Sequence, residues 1–288
     1  MTRQVLSDRS VIAAAGDDAT AFLQSLVTAD LAARPDRVCR PAALLTPQGK
    51  ILFDMLLVRD AAGWLIDCRA DMAEALERRL SFYRLRARVG LARRDDLAVV
   101  WSPPGAAADG PPDTMQSDGR TAALGQRGYA APASGTAAGG DAAPAYHALR
   151  VAAGVAEAGL DYAPDSVFPH EAGLDLLSGV SFAKGCFIGQ EVVSRMHHRA
   201  TVRKRFLPCA LDGEAPAPGT PVLAGERRIG TAGSSAGGMA LALLRLDHLE
   251  AAAAAGTPLT AAGTEIRPRL PDWLSARAAG GGLARVLA

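Results

Sequence analysis

Apolar residues recur at Phe22, Leu23, Leu26, Val27 and Leu31. This three-to-four spacing predicts a helix that starts at an N-cap of Asp17 or Asp18, runs to about Leu31 and turns one face to a core. Before it, residues 4–14 read as one strand ending in a turn at Gly16-Asp17. Two apolar runs follow, 42–45 and 51–58, separated by Thr46-Pro47-Gln48-Gly49. Proline and glycine stand there as a turn requires, so the runs predict a hairpin whose second strand is buried on both faces. Residues 64–68 read as another strand, and 71–80 as a helix with Met72, Leu76 and Leu80 on one side. Residues 83–89 alternate polar and apolar, which reads as a strand with Arg84, Arg86 and Arg88 on a solvated face. A further strand at 97–101 closes the series. This order predicts an α+β fold, with helices layered on a mostly antiparallel sheet.

The pattern then breaks. Residues 102–145 are dominated by Ala, Gly and Pro. Order is expected near 118–129 and a flexible loop near 130–145, where too little apolar surface is available to offset chain entropy. Tyr146, Leu149, Val151 and Val155 mark a helix. From Phe206 onward, short apolar runs alternate with turns at Gly219-Thr220-Pro221, Gly225-Glu226, Gly230 and Gly237-Gly238, the spacing of a small antiparallel barrel, with 241–246 as one buried strand. Residues 278–288 are expected to fray.

At 288 residues the chain has room for one large or two modest domains, and 49% apolar content supplies a sizeable core. A formal charge of +1 gives no global field to gather nucleic acid. The four cysteines, Cys39, Cys68, Cys186 and Cys209, lie far apart without a CxxC pair, which argues against a zinc ribbon or a cluster-ligand set. The first ten residues hold no apolar signal core, and no run approaches the roughly 20 apolar residues of a membrane span. A soluble cytoplasmic protein with reduced thiols is the expectation.

Candidate chemistry concentrates in 181–205, centred on Lys184-Gly185-Cys186-Phe187-Ile188-Gly189-Gln190-Glu191. Two glycines four residues apart suggest a tight turn or a close approach of the backbone. A lysine two positions from a thiol favours the thiolate; a buried structural cysteine is the competing reading. Residues 184–205 carry six Lys or Arg and one acid, with His197 and His198 among them. An anion site and an exposed basic strand both account for that run. Metal binding is disfavoured because Cys186 to His197 is not a recognised ligand spacing, and nucleic-acid binding because no aromatic residues interleave with the charges. Elsewhere, Asp54 interrupts an apolar strand, where a carboxylate needs a partner or a task.

The central string resembles the K-G-C-Y-x-G-Q-E signature, followed by R, of the YgfZ family, folate-binding proteins that maintain iron–sulfur enzymes. Lys184, Gly185, Cys186, Gly189, Gln190, Glu191 and Arg195 match, and Phe187 replaces the tyrosine. Phe187-Ile188-Gly189 followed by Glu191 also resembles F-I-G-x-E of the related glycine-cleavage T-protein, an aminomethyltransferase. Further likenesses lie in the first helix, in Asp118-Gly119-Arg120 through Leu124-Gly125-Gln126-Arg127, in Glu171-Ala172-Gly173-Leu174, and in GKILFDMLLV, where Phe53 stands at one of two acidic T-protein positions and Asp54 keeps the other. The resemblance implies a T-protein-like folate-binding body over 1–204 and a C-terminal barrel over 205–288. It implies a tetrahydrofolate ligand whose pterin ring Glu171 holds in a fork, with Asp54, Gly185, Gly189, Gln190, Glu191 and Arg195 as further contacts. Cys186 becomes the functional thiol, assisted by Lys184, of a monomeric factor that assembles, maintains or repairs iron–sulfur enzymes, four-iron ones above all. Its implied partners are client enzymes or assembly proteins, with no nucleic acid and no membrane. A tetrahydrofolate-dependent one-carbon transferase is the alternative, disfavoured by Phe53 and by a cysteine that transfer does not need. A folate-sensing module without chemistry is a third.

Overall fold

The computed structural model describes residues 4–32, 37–106, 115–132, 140–199 and 202–278. The first strand expected over 4–14 is two, β1 (Gln4–Val5) and β2 (Arg9–Ala15), on either side of a turn. Helix α1 (Ala19–Leu26) follows, then the hairpin of β3 (Val38–Leu45) and β4 (Ile51–Asp60), then β5 (Gly63–Arg69) and helix α2 (Ala73–Arg84). Strands β6 (Gly90–Arg93), β7 (Ala98–Ser102), β8 (Met115–Asp118) and β9 (Gln126–Ala130) complete a nine-stranded sheet of order β1-β7-β9-β8-β3-β4-β5-β2-β6. Only β3 and β8 run parallel among its described pairs; the rest are antiparallel.

The period-2 pattern of β4 divides the core. Met55 and Leu57 face α1 and α2, whose Phe22, Leu23, Leu26, Leu76 and Leu80 cover that side. Leu56 and Val58 face the other way, toward Trp101 and toward Tyr146 of helix α3 (Ala143–Ala152). The second hairpin strand is thus buried on both faces, as its unbroken apolar run predicts. Phe53 joins the helix side. Asp54, one residue on, shares the face of Leu56 and Val58.

Two local expectations do not hold. Helix α1 stops at Leu26 rather than Leu31, because the chain beyond it is committed elsewhere. Thr28 accepts a hydrogen bond from the Ala43 N–H at 2.8 Å and donates one to the Gly179 carbonyl at 2.6 Å. Residues 83–89 are not a strand: α2 continues to Arg84 and β6 begins at Gly90. In so short a window, Leu76, Leu80 and Tyr83 fit a helical period as well as an alternating one. Of the loop expected near 130–145, residues 133–139 lie outside the described residues and α3 takes over at Ala143. The fraying expected at the C-terminus also lies outside them, apart from Ala278.

After α3 an irregular stretch leads to helix α4 (Gln190–His198). The chain then forms a closed barrel of order β10-β13-β12-β11-β14-β15. Its strands are β10 (Lys204–Asp212), β11 (Pro221–Ala224), β12 (Arg227–Ala236), β13 (Met239–Arg245), β14 (Leu259–Ala261) and β15 (Thr264–Pro268). Helices α5 (Leu246–Ala254) and α6 (Asp272–Ala278) accompany them. Closure pairs β10 with β15 and leaves the barrel no free edge. An apolar cluster containing Ala43, Leu45, Ile51, Phe187, Val193, Phe206 and Leu241 joins hairpin, α4 and barrel.

Arg150 of α3 sits at that junction with its side chain fully buried. It donates to Asp161 Oδ2 at 2.6 Å, to the Val155 carbonyl at 2.6 Å and to Ser234 Oγ of β12 at 2.7 Å. Removing one partner of a buried ion pair strands the other charge. Arg150→Met is therefore expected to lower unfolding stability by about 3–5 kcal/mol, measured by urea denaturation.

Candidate functional site

The signature segment has no regular secondary structure, yet it is anchored residue by residue. Ser181 donates its N–H to the Thr28 carbonyl at 2.9 Å, and Lys184 donates its own to Ser181 Oγ at 3.2 Å. The Lys184 side chain turns inward. Its ammonium donates to the carbonyls of Gln24, Val27 and Ala29, each at 2.7 Å, at the end of α1. A helix end leaves such carbonyls without intrahelical partners. Burial pulls the Lys184 pKa down to about 8, while the three carbonyl dipoles favour the charged form. Phe187 also turns inward, with its ring 5.3 Å from Lys184 Nζ. With 184 and 187 rooted, Gly185 and Cys186 remain outside and exposed.

This arrangement separates Cys186 from the other three cysteines. Cys39, Cys68 and Cys209 are buried, and burial pushes each thiol up to about 12. They are core residues; Cys186 is the exposed thiol. Lys184 donates to three carbonyls at and just beyond the end of α1, so its contact is with the scaffold.

The two glycines differ. A Cβ on Gly185 would meet nothing within 4 Å. Gly189 caps α4 with φ +78°, and a Cβ there would lie 2.6 Å from the Thr46 carbonyl oxygen. Opposite it, Gly49 has φ +82°, and its Cβ would lie 3.0 Å from Val192 Cβ. The pair lets the hairpin turn lie directly on the start of α4. Gln190 opens that helix, half-buried, its N–H donating to the Phe187 carbonyl at 3.2 Å. Glu191 and Arg195 pair with each other at 2.6 Å on the exposed face. The basic run is divided rather than gathered: Lys184 and Arg205 are buried, Arg205 in a two-pronged contact with Asp175 at 3.0 and 2.9 Å, while Arg199, Arg203 and Lys204 are exposed.

Glu171 closes a turn. Its Oε2 accepts the Phe168 N–H at 2.9 Å, and its carbonyl accepts the Phe206 N–H at 3.0 Å, at the entry to the barrel. Asp54 lies elsewhere, on the central face of the sheet. Its Oδ2 accepts from the Ala158 N–H at 2.9 Å and from the Tyr162 hydroxyl at 2.8 Å. A hollow of about 10 Å³ opens beside it, lined by Arg9, Arg120 and Glu157 among others. Burial raises the Asp54 pKa, and the nearby Glu157 charge raises it further. Burial alone would raise Glu157 as well, but Arg9 and then Arg150 draw it below the usual range.

Around the hollow the charges form one network. Arg9 binds Glu157 and, at 2.7 Å, Asp67. Asp67 also accepts from Arg127 at 2.8 Å and from the Tyr129 hydroxyl at 3.1 Å. Asp118 holds Arg120 in a two-pronged contact at 2.9 and 2.7 Å, and Arg120 donates to the Tyr146 hydroxyl. The 118–127 island, noticed in the sequence as a likeness, thus supplies three members. Arg9, Asp67 and Glu157 were missed. For Asp67 the signal existed: it interrupts the apolar run Trp64-Leu65-Ile66 as Asp54 interrupts its own strand.

A second opening, a cleft of about 250 Å³ lined by Ala29, Arg40, Pro41, Ser178 and Ser181 among others, lies beside the signature segment. Pro41 lines both cleft and hollow. Ligand pockets for molecules of drug size run from about 300 Å³ upward. The hollow at Asp54 has the volume of about one water, so the pterin of a folate does not fit there in this conformation. One Glu171 oxygen and one Asp54 oxygen are already committed to protein donors.

Comparison with known proteins bears on the whole arrangement. Residues 203–276 match the family described as CAF17, C-terminal beta-barrel domain. The crystal structure of glycine cleavage system aminomethyltransferase T from Bartonella henselae superposes with a TM-score of 0.68 over 92% of this chain and 83% of that one, at 18% identity. This establishes the T-protein-like fold with its C-terminal barrel. The chain is 32% identical to the human iron-sulfur cluster assembly factor IBA57, mitochondrial, over 93% of its own length and 84% of the relative's. The mouse protein of that name is 31% identical over 85% and 78%. A Chaetomium globosum homolog is 32% identical over 77% of this chain, but the match spans only 59% of that relative. All three carry mitochondrial in their names, which overturns the expectation of a cytoplasmic protein. Reduced thiols, on which that expectation partly rested, fit any reducing compartment.

Lys184→Met would leave three carbonyls without their donor and is expected to lower stability by roughly 3 kcal/mol, read by urea denaturation. The maleimide alkylation rate of Cys186 in the folded variant should stay within about twofold of wild type. A rate drop of about tenfold would instead mark Lys184 as an activator of the thiol.

Proposed function

The chain belongs to the IBA57 family of iron–sulfur cluster assembly factors, and from that premise we propose that it assembles, maintains or repairs clusters of iron–sulfur enzymes through the thiol of Cys186. The observation that carries this reading is the contrast among the cysteines: three buried, and Cys186 exposed between two inward-rooted residues. A thiolate is both a nucleophile and a soft ligand for iron. Held outward on a fixed loop, it is available to a cluster, its carrier or a client enzyme. Lys184, Phe187 and Gly189 are positioning residues in this reading, fixing the loop on α1 and on the hairpin turn.

The folate part of the expectation has less support. Carboxylates suited to pterin N–H groups are present at Asp54 and Glu171, but the hollow beside Asp54 is about 10 Å³, so no step is derived through a folate. The transferase alternative meets the same obstacle. Phe53 no longer weighs against it, since position 53 faces the helix-covered core rather than the hollow.

In cells lacking the protein, a four-iron dehydratase and a radical-type thiolase are expected to lose activity while a cluster-free control enzyme does not. Wild type should restore both, and Cys186→Ser should not. Full rescue by the serine variant would remove Cys186 from the mechanism. Unchanged cluster enzymes with shifted one-carbon pools would favour the transferase.

Calorimetric titration of the purified protein with tetrahydrofolate is expected to show no saturable binding. Saturable heat that Glu171→Ala weakens about tenfold, the loss of one charge-assisted hydrogen bond, would return folate to the site.

A further inference from the structure

Helix α2 buries Ala73, Leu76 and Leu80, and the chain is buried again at Val89. Between these anchors it carries two large apolar side chains into solvent, Phe82 at 73% exposure and Leu85 at 89%. Leu85 is also the C-cap of α2, with φ 43° and ψ −108°. Glycine adopts positive φ freely, whereas a leucine does so under strain. The strained residue contributes almost no packing to the fold, and strained residues cluster at active sites, ligand clamps and switch regions.

The charges around it repeat the theme. Arg78 is paired with Glu74, and Arg88 lies 3.4 Å from Asp17 and 3.5 Å from Asp18. Arg79, Arg84 and Arg86 are exposed and make no ion pair among the described residues. The end of α2 is therefore a prong with two exposed apolar side chains and, among the described residues, three arginines without an ion pair.

We propose that this prong is a docking element for a partner protein presenting an apolar groove rimmed by aspartate or glutamate. Aromatic and arginine side chains dominate the energetic centres of such interfaces, and an acidic rim is the complement of three unpaired arginines. A membrane surface fits less well. Outward positions earlier in α2 hold the Glu74–Arg78 pair rather than a continuing apolar face, and insertion of two side chains gives only marginal attachment. The inference is independent of Cys186.

The test is a benzophenone side chain placed at Phe82 of the full chain and photolysed in living cells, with Glu265 on the barrel as the control position. One discrete adduct is expected from position 82 and none from 265. The captured protein, identified and purified, should bind wild type and Cys186→Ser alike. Binding should weaken about tenfold or more with Leu85→Gly, and likewise with the Arg84→Glu/Arg86→Glu pair. Because glycine relieves the strain, Leu85→Gly should also hold or raise Tm, by ~2–4 °C if raised. A fall in Tm would make Leu85 a structural residue and overturn the argument. So would matching adducts from both positions, or a captured partner indifferent to Leu85→Gly. Co-sedimentation with phosphatidylcholine–phosphatidylglycerol vesicles that Leu85→Gly abolishes would assign the prong to a membrane instead.

Discussion

A guanidinium taken fully out of water must find acceptors or the fold fails, and Arg150 sets that condition at the point where three parts of the chain meet. Its contacts reach the turn after α3, Asp161 of the irregular segment, and Ser234 of the barrel. Glu157 carries the chain of charges to Arg9, then through Asp67 to Arg127 and on to Asp118 and Arg120. Arg120 returns to α3 through the Tyr146 hydroxyl. Each member is desolvated and each answers another. Apolar packing supplies most of the stability, while the network fixes how sheet, segment and barrel face one another.

The same arrangement shapes the central face. Arginines and carboxylates occupy the space beside Asp54, leaving a hollow of about 10 Å³. Two carboxylates meet there with opposite tendencies: burial and the charge of Glu157 push Asp54 up, while Arg9 and Arg150 hold Glu157 down. A pair split in this way is a common source of acid and base roles in catalytic sites. In this chain Glu157 is buried and Asp54 half-buried, whereas the Cys186 thiol is exposed. The exposed cysteine and the perturbed acids stand on different segments; Pro41 is common to the lining of the cleft and of the hollow.

The signature segment depends on its own constraint, an ammonium on three carbonyls. Because Lys184 donates to the carbonyls at the end of α1 as well as rooting the loop, one residue holds together two features that look unrelated along the chain. The glycine pair, Gly49 and Gly189, adds the second fixed point. The IBA57-family likeness and the T-protein fold describe the frame; these contacts explain why Cys186 faces outward within it.

Periodicity and turn chemistry were enough to predict the hairpin, the double-sided burial of its second strand and the small barrel, because each depends on residues only a few positions apart. The residue string around Cys186 was specific enough to point to iron–sulfur maintenance, and the 118–127 island announced itself as a motif. What those residues touch was not legible. Lys184 looked like a partner for the neighbouring thiol, yet its acceptors lie 155, 157 and 160 residues away. Asp54 was visible as a charge in an apolar run, but its donors stand 104 and 108 residues on. The early end of α1, the helical continuation through Tyr83 and the exposure of Leu85 were decided by the same long-range packing. Local sequence determines what a residue prefers. Which charge is buried against which, and which thiol is left outside, is decided only when distant segments compete for the same interior.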